Sequence, residues 1–145
     1  MPRSKTDVVF VIDEDAGPHV LAGIVDAGGA ACLLIDKVPR GTENVLWIPR
    51  VREWGHAIIT RDVAMRRNPA EEYALRSCGV HVFILRAGGA CFDELRALAK
   101  QHFNTMFRHV CTQATPYVAH VTRNGVDVRF GGGRLRDPKR KGRQG

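Results

Sequence analysis

No run of apolar residues in this 145-residue chain approaches the ~20 that a membrane-spanning helix needs. The first residues, MPRSKTD, lack the apolar core of a signal peptide. Together these two absences lead to the expectation of a cytoplasmic protein with no membrane partner. Paired cysteine spacing is missing as well. Cys32, Cys78, Cys91 and Cys111 lie far apart, three of them in or beside apolar runs, which reads as free thiols in a reducing compartment rather than a disulfide framework or a zinc site. The six histidines are scattered, with no pair at helical ligand spacing near a third ligand. The glycine-rich AGGACF stretch has no phosphate-loop lysine beside it, so it reads as a turn before a helix. No internal repeat is visible.

Acidic residues are scarce in one place. The segment 134–145, RLRDPKRKGRQG, holds six basic residues and a single acid, so most of the net charge of +7 resides there. The remaining body is close to neutral. Gly131, Gly132 and Gly133 mark the join. The expected organisation is therefore one domain over 1–130, long enough to bury a substantial core, and a basic tail over 131–145. Having little to bury, the tail is expected to be disordered and to serve either as a solubilising end or as a phosphate-binding arm.

Within the body, strands and helices alternate. VVFVID (8–13) is a strand. A helix follows, with Pro18 in its first turn, Val20, Leu21, Ile24 and Val25 at helical spacing, and Gly28 and Gly29 to stop it. AACLLID (30–36) is a second, continuously apolar strand. VLWIPRVREWG contains a short helix on which Trp47 and Trp54 are expected to pack. HAIITRD (56–62) is a third strand. Asn68 caps the next helix, with Pro69 at its first position and Glu71 completing a capping box. VHVFILR (80–86) is a fourth strand. A long amphipathic helix over 91–110 carries the stripe Phe92, Leu95, Leu98, Phe103, Met106, Phe107 and Val110. YVAHVTRNGVDVRF reads as a hairpin around Asn124-Gly125. Strands apolar on both faces and separated by helices imply a three-layer α/β/α fold with a central, mostly parallel sheet and a C-terminal β-hairpin.

In such sheets the ligand site lies beyond the carboxyl ends of the strands. Strand one ends in Asp13-Glu14-Asp15, strand two in Asp36 and strand three in Asp62. The loop residue Glu43 can reach the same edge. Alternation turns Glu14 away from Asp13, and Asp36, followed by Lys37, reads as a surface residue. Asp15 could alternatively cap the first helix, and Glu72 could lie on a solvated helix face. A carboxylate cluster without histidine or thiolate is a hard-oxygen environment that suits Mg²⁺ or Mn²⁺. Unneutralised, it repels itself and holds protons. With a divalent ion it suits phosphodiester hydrolysis, in which water is activated and the leaving oxygen neutralised. Arg61, Arg66 and Arg67 stand nearby to hold phosphates.

VVFVIDEDAGPHV, followed by WGHAIITRD, MRRNPAEEYAL and GVHVFIL, resembles a PIN-like domain, in the branch grouped with VapC-type toxin ribonucleases. The resemblance extends over about 8–130. It implies catalytic and metal-binding acids at Asp13, Glu43 and Asp62, helped by Asp15, with Thr60 as the hydroxyl residue near the metal. It implies a Mg²⁺- or Mn²⁺-dependent endoribonuclease whose substrate is RNA. A small antitoxin protein and homodimer formation are implied as partners. One departure stands out: many such domains carry a fourth acid further on, where this chain is basic and offers only Glu71, Glu72 or Asp93.

Two other readings compete. A catalytically inert PIN-like protein could bind RNA through the basic tail. A phosphoacceptor receiver domain also carries an acid pair after strand one, and Asp62 would be its phosphorylated aspartate. A receiver, however, needs a hydroxyl after strand four and a lysine before proline after strand five, and strand four here runs into LRAGG.

Overall fold

The apolar segments pair into a single sheet. The structure, a computed structural model, describes residues 3–133; the segment 134–145, with the expectation of a disordered basic arm, lies outside them. β1 (Val9–Ile12) pairs in parallel with β2 (Ala30–Leu33) on one side and β3 (Ala57–Thr60) on the other. β4 (His81–Leu85) and β5 (Tyr117–Thr122) continue the parallel run, and β6 (Gly125–Gly131) turns back antiparallel to β5. The strand order is β2-β1-β3-β4-β5-β6, so the connection direction reverses between β1 and β3.

Successive strand residues point to opposite faces, and in β1 both faces are apolar. Phe10 and Ile12 join the core layer under α1 (Gly17–Asp26) and α4 (Phe92–Thr112). Val11 joins the opposite layer, under α2 (Asn44–Trp47), the 3₁₀ turn Ile48–Glu53 and α3 (Pro69–Ser77). Burial on both sides is why the central strands read as unbroken apolar runs. Trp47 is 1% exposed and anchors the short α2. The three-layer fold with its terminal hairpin is the one expected. Among the described residues, no helix is long and apolar enough to cross a membrane.

The differences have local causes. The apolar run 30–36 forms a strand only as far as Leu33, the partner of Ile12 at the end of the β1 ladder. With no further backbone to pair with, the chain bends into a 3₁₀ turn, Leu34–Asp36. The hairpin loop is Arg123-Asn124, and Gly125 already pairs with Thr122. In α4, Phe92 leaves the buried stripe: it is 65% exposed and stacks on His19 with ring centroids 4.4 Å apart. Cys91 is exposed, whereas Cys78 is buried and Cys32 and Cys111 are half-buried; all four are free. The helices α1 and α4 approach most closely at Gly23, where an added methyl group would run into the Arg96 carbonyl and lie 2.8 Å from the Ala99 Cβ.

Candidate active site

The reversal of connection direction between β1 and β3 opens a crevice at their carboxyl ends, and three carboxylates collect there. Asp13 extends β1 by one residue, its backbone N–H donating to the Ile59 carbonyl at 2.9 Å. Its side chain is thereby held beside the end of β3, 7% exposed. Thr60, the last residue of β3 and fully buried, donates its hydroxyl to Asp13 Oδ2 at 2.8 Å. The same hydroxyl accepts the Asp62 backbone N–H at 3.1 Å and lies 3.4 Å from Asp15 Oδ1. Asp15 Oδ1 in turn accepts the Arg61 backbone N–H at 3.0 Å. One threonine hydroxyl thus meets the Asp13 and Asp15 carboxylates and the Asp62 backbone N–H, while Asp62 Oδ1 accepts the Ala64 backbone N–H at 3.0 Å. Asp15 does not cap α1, whose N-cap residue is Ala16 and makes no side-chain bond.

The cluster extends through a residue not singled out in the sequence. Asn44 Nδ2 donates to Glu71 Oε1 at 2.7 Å and lies 3.4 Å from Asp62 Oδ2. Trp47 Nε1 donates to Asn44 Oδ1 at 3.0 Å and so fixes which way the amide faces. Asn44 is the first residue of a helix, where asparagine has little helix propensity to recommend it, and Trp47 follows three residues later; those were the only signals. Glu71 was expected to close a capping box. Asn68 does cap α3, accepting from the Ala70 and Glu71 backbone N–H groups, but the Glu71 carboxylate turns to Asn44 because the Asn68 N–H is already donated to the Ala64 carbonyl.

Glu43 occupies the N-cap position of α2 and is exposed. It shares with Asn44 and Glu71 the wall of an adjoining groove of about 510 Å³, so the structure sets it beside the Thr60-centred network rather than within it. Glu14 points away, its carboxylate taken by Arg40 at 2.8 Å and the Gly41 backbone N–H at 3.1 Å. Asp36 is exposed. Arg61 and Arg66 are half-buried and Arg67 exposed along the chain that leaves β3.

The electrostatics are those of crowded negative charge. Burial, reinforced by the Asp15 charge, raises the Asp13 pKa from 3.8 to about 6, against the opposing hydrogen bonds from Thr60 and Glu14. Burial also raises the Asp15 pKa, with Asp62 adding to the effect and the Arg61 N–H opposing it. Among the described residues, none of the three forms an ion pair with a basic side chain, and no three metal-binding side chains converge as a ready-made cage. They are linked through Thr60 and Asn44 instead. The donor set is nevertheless all oxygen, partly desolvated and uncompensated, which fits a hard divalent cation better than zinc or copper.

A family model described as a PIN-like domain matches residues 8–87, from the start of β1 to just beyond β4. The match takes in Asp13, Asp15, Glu43, Thr60, Asp62 and Glu71, and stops short of α4 and the hairpin. No curated protein and no solved structure matches the chain. The model match covers more than half of the 145 residues, and the chain therefore belongs to the PIN-like domain family, whose members are typically nucleases that use divalent metals.

Proposed function

We propose that the protein is a Mg²⁺- or Mn²⁺-dependent endoribonuclease that hydrolyses RNA at the crevice between β1 and β3. The observation that carries this reading is the buried Asp13 carboxylate, held by Thr60 against Asp15 and Asp62 with its pKa raised to about 6. Asp13, Asp15 and Asp62 would hold the cation, with Glu43 and Glu71 on the adjoining rim. The cation supplies neutralisation of the phosphate oxygens and activation of a water nucleophile. The chain's own residues do the rest. Thr60 orients Asp13, and Asn44 spaces Asp62 from Glu71. Asp15 keeps its Oδ2 outside these hydrogen bonds, which leaves that oxygen to face the cation. Arg61, Arg66 and Arg67 supply charge-assisted contacts to the RNA backbone.

The finer reading is that of a VapC-type toxin, acting as a homodimer and held inactive by a small antitoxin protein. It rests on the resemblance of the VVFVIDEDAGPHV, WGHAIITRD and MRRNPAEEYAL segments, and induced expression in bacterial cells would test it by growth arrest.

The cleavage test uses purified full-length protein and a mixed cellular RNA pool. We expect cuts at discrete sites with Mn²⁺ or Mg²⁺ and none with EDTA. Asp62→Asn should slow cleavage by about 10- to 100-fold or more, since even residues that only orient metal ligands have effects of that size. Full metal-dependent cleavage by Asp62→Asn would show that the site lies elsewhere.

A further inference from the structure

At the amino edge of the sheet, opposite the carboxylates, lies a groove of about 520 Å³. Small-molecule sites occupy roughly 300–1,000 Å³. Its walls come from the turn Ile48–Glu53, the starts of β3 and β4, and the C-terminal end of α4.

Its chemistry is the reverse of the acidic edge. Arg3 and Arg52 both line it, and the one carboxylate among its lining residues, Glu53, is paired with Arg50 at 3.3 Å. Arg52 lies across Gly79, whose φ is +74°; a Cβ there would come within 3.1 Å of the Arg52 Cδ. The missing side chain is what lets the guanidinium settle at this wall.

Two histidines on the groove are fixed in the same Nε2–H tautomer but leave opposite ring nitrogens free. His56 Nδ1 accepts the Val9 backbone N–H at 3.0 Å, which leaves its Nε2–H as a donor. His81 is only 6% exposed, and its Nε2 lies 2.7 Å from the Gln113 carbonyl oxygen. A carbonyl can only accept, so Nε2 carries the proton and Nδ1 is left as an acceptor. Burial lowers the pKa of both rings, which keeps them in these neutral forms near pH 7. Trp54 adds a half-buried indole to the same wall, packed on the core and with the Arg50 guanidinium over its ring at 5.2 Å.

Two cations, a ring donor and a ring acceptor complement the parts of a nucleotide. The guanidinium groups match a phosphate. His56 Nε2–H matches an acceptor on a base or sugar. His81 Nδ1 matches a hydroxyl or amino hydrogen. We propose that this groove binds a nucleotide bearing a terminal phosphate, either free or as the 5′ end of an RNA strand, at a site separate from the carboxylates. The basic segment is attached at its rim: the Gly133 backbone N–H donates to Gln113 Oε1 on the groove wall, and six basic residues follow within 134–145.

The test is calorimetric titration of the full-length protein in EDTA. The probes are adenosine 5′-monophosphate, adenosine, inorganic phosphate, and a hexanucleotide RNA with and without a 5′-phosphate. We expect saturable binding of the monophosphate, tighter than that of adenosine or of phosphate. Arg52→Ala and Arg3→Ala should each weaken it about tenfold, the loss of one charged hydrogen bond. Both residues are exposed, so both variants should keep the wild-type circular dichroism. Asp13→Asn should bind the monophosphate as the wild type does, which separates this site from the proposed nuclease site. Tighter binding of the 5′-phosphorylated RNA than of the mononucleotide assigns the groove to an RNA end, and the opposite order assigns it to a free nucleotide. Absence of saturable binding, monophosphate binding no tighter than inorganic phosphate, or binding untouched by both arginine variants would overturn the proposal.

Discussion

Asp13 is held ionised at neutral pH against its surroundings. Its pKa is raised from 3.8 to about 6, so the folded state binds the proton more tightly than the unfolded chain. The favourable contribution of the protonated form is fully present below pH 3.8 and is lost as pH rises through about 6. Above that, the ionised side chain costs about 3 kcal/mol, from the separation of the two values. Asp13→Asn removes the charge but leaves either the Thr60 hydroxyl or the Glu14 N–H without its acceptor, at about 1 kcal/mol. In EDTA at pH 7.5, urea unfolding should therefore find Asp13→Asn about 1–2 kcal/mol more stable than wild type, with the gain gone by pH 4. A destabilised variant at pH 7.5 would mean that the cluster is not electrostatically strained. Asp13 and Asp62 were legible in the sequence because each sits where an apolar strand stops, and Thr60 only through the resemblance that TRD carries. Asn44 and the turned Glu71 were not. Their roles depend on where a four-residue helix and a nine-residue helix are brought side by side, and no local pattern encodes that.

The helices and strands were legible where burial imposes a period, and less so where tertiary partners decide. β1, β3 and β4 end near the expected residues because flanking polar residues coincide with the limits of the ladder. β2 ends early because the β1 ladder beside it stops, which the apolar run 30–36 cannot reveal. Phe92 fits the helical stripe of α4 by spacing alone, yet the first turn of the helix extends past the sheet core, and the ring finds His19 instead. Gly23 in α1 answers a demand that helical spacing does not show, the close approach of α4. Gly23→Ala should therefore destabilise the protein despite the higher helix propensity of alanine. The clash with the Arg96 carbonyl must force α1 and α4 apart at a cost of about 1–3 kcal/mol, read as a lowered urea midpoint. A neutral or stabilised variant would contradict the close packing of these two helices.

At the scale of the molecule, charge is divided between two ends of one sheet. Acids gather at the carboxyl ends of β1 and β3, and cations line the amino-edge groove. The tail adds six basic residues within 134–145. Removing 134–145 should weaken RNA binding and flatten its dependence on salt, by about 0.7 in the log–log slope for each phosphate that the tail would otherwise neutralise, while cleavage at saturating RNA persists. An unchanged slope would leave the tail no part in binding. The fold class and the acidic edge were legible because both follow from strand ends. The amino-edge groove was not, because Arg3, the Arg52–His56 stretch and His81 are far apart in sequence and meet only when β1, β3 and β4 pair. Whether the carboxylates gathered around Thr60 form a divalent-cation site is decided by titrating Mn²⁺ calorimetrically into the wild type and Asp13→Asn at pH 7.5. Saturable binding to the wild type and at least tenfold weaker binding to the variant are expected, as even changes to residues behind metal ligands cost about 10- to 100-fold. Equal Mn²⁺ affinity in the two proteins would contradict such a site.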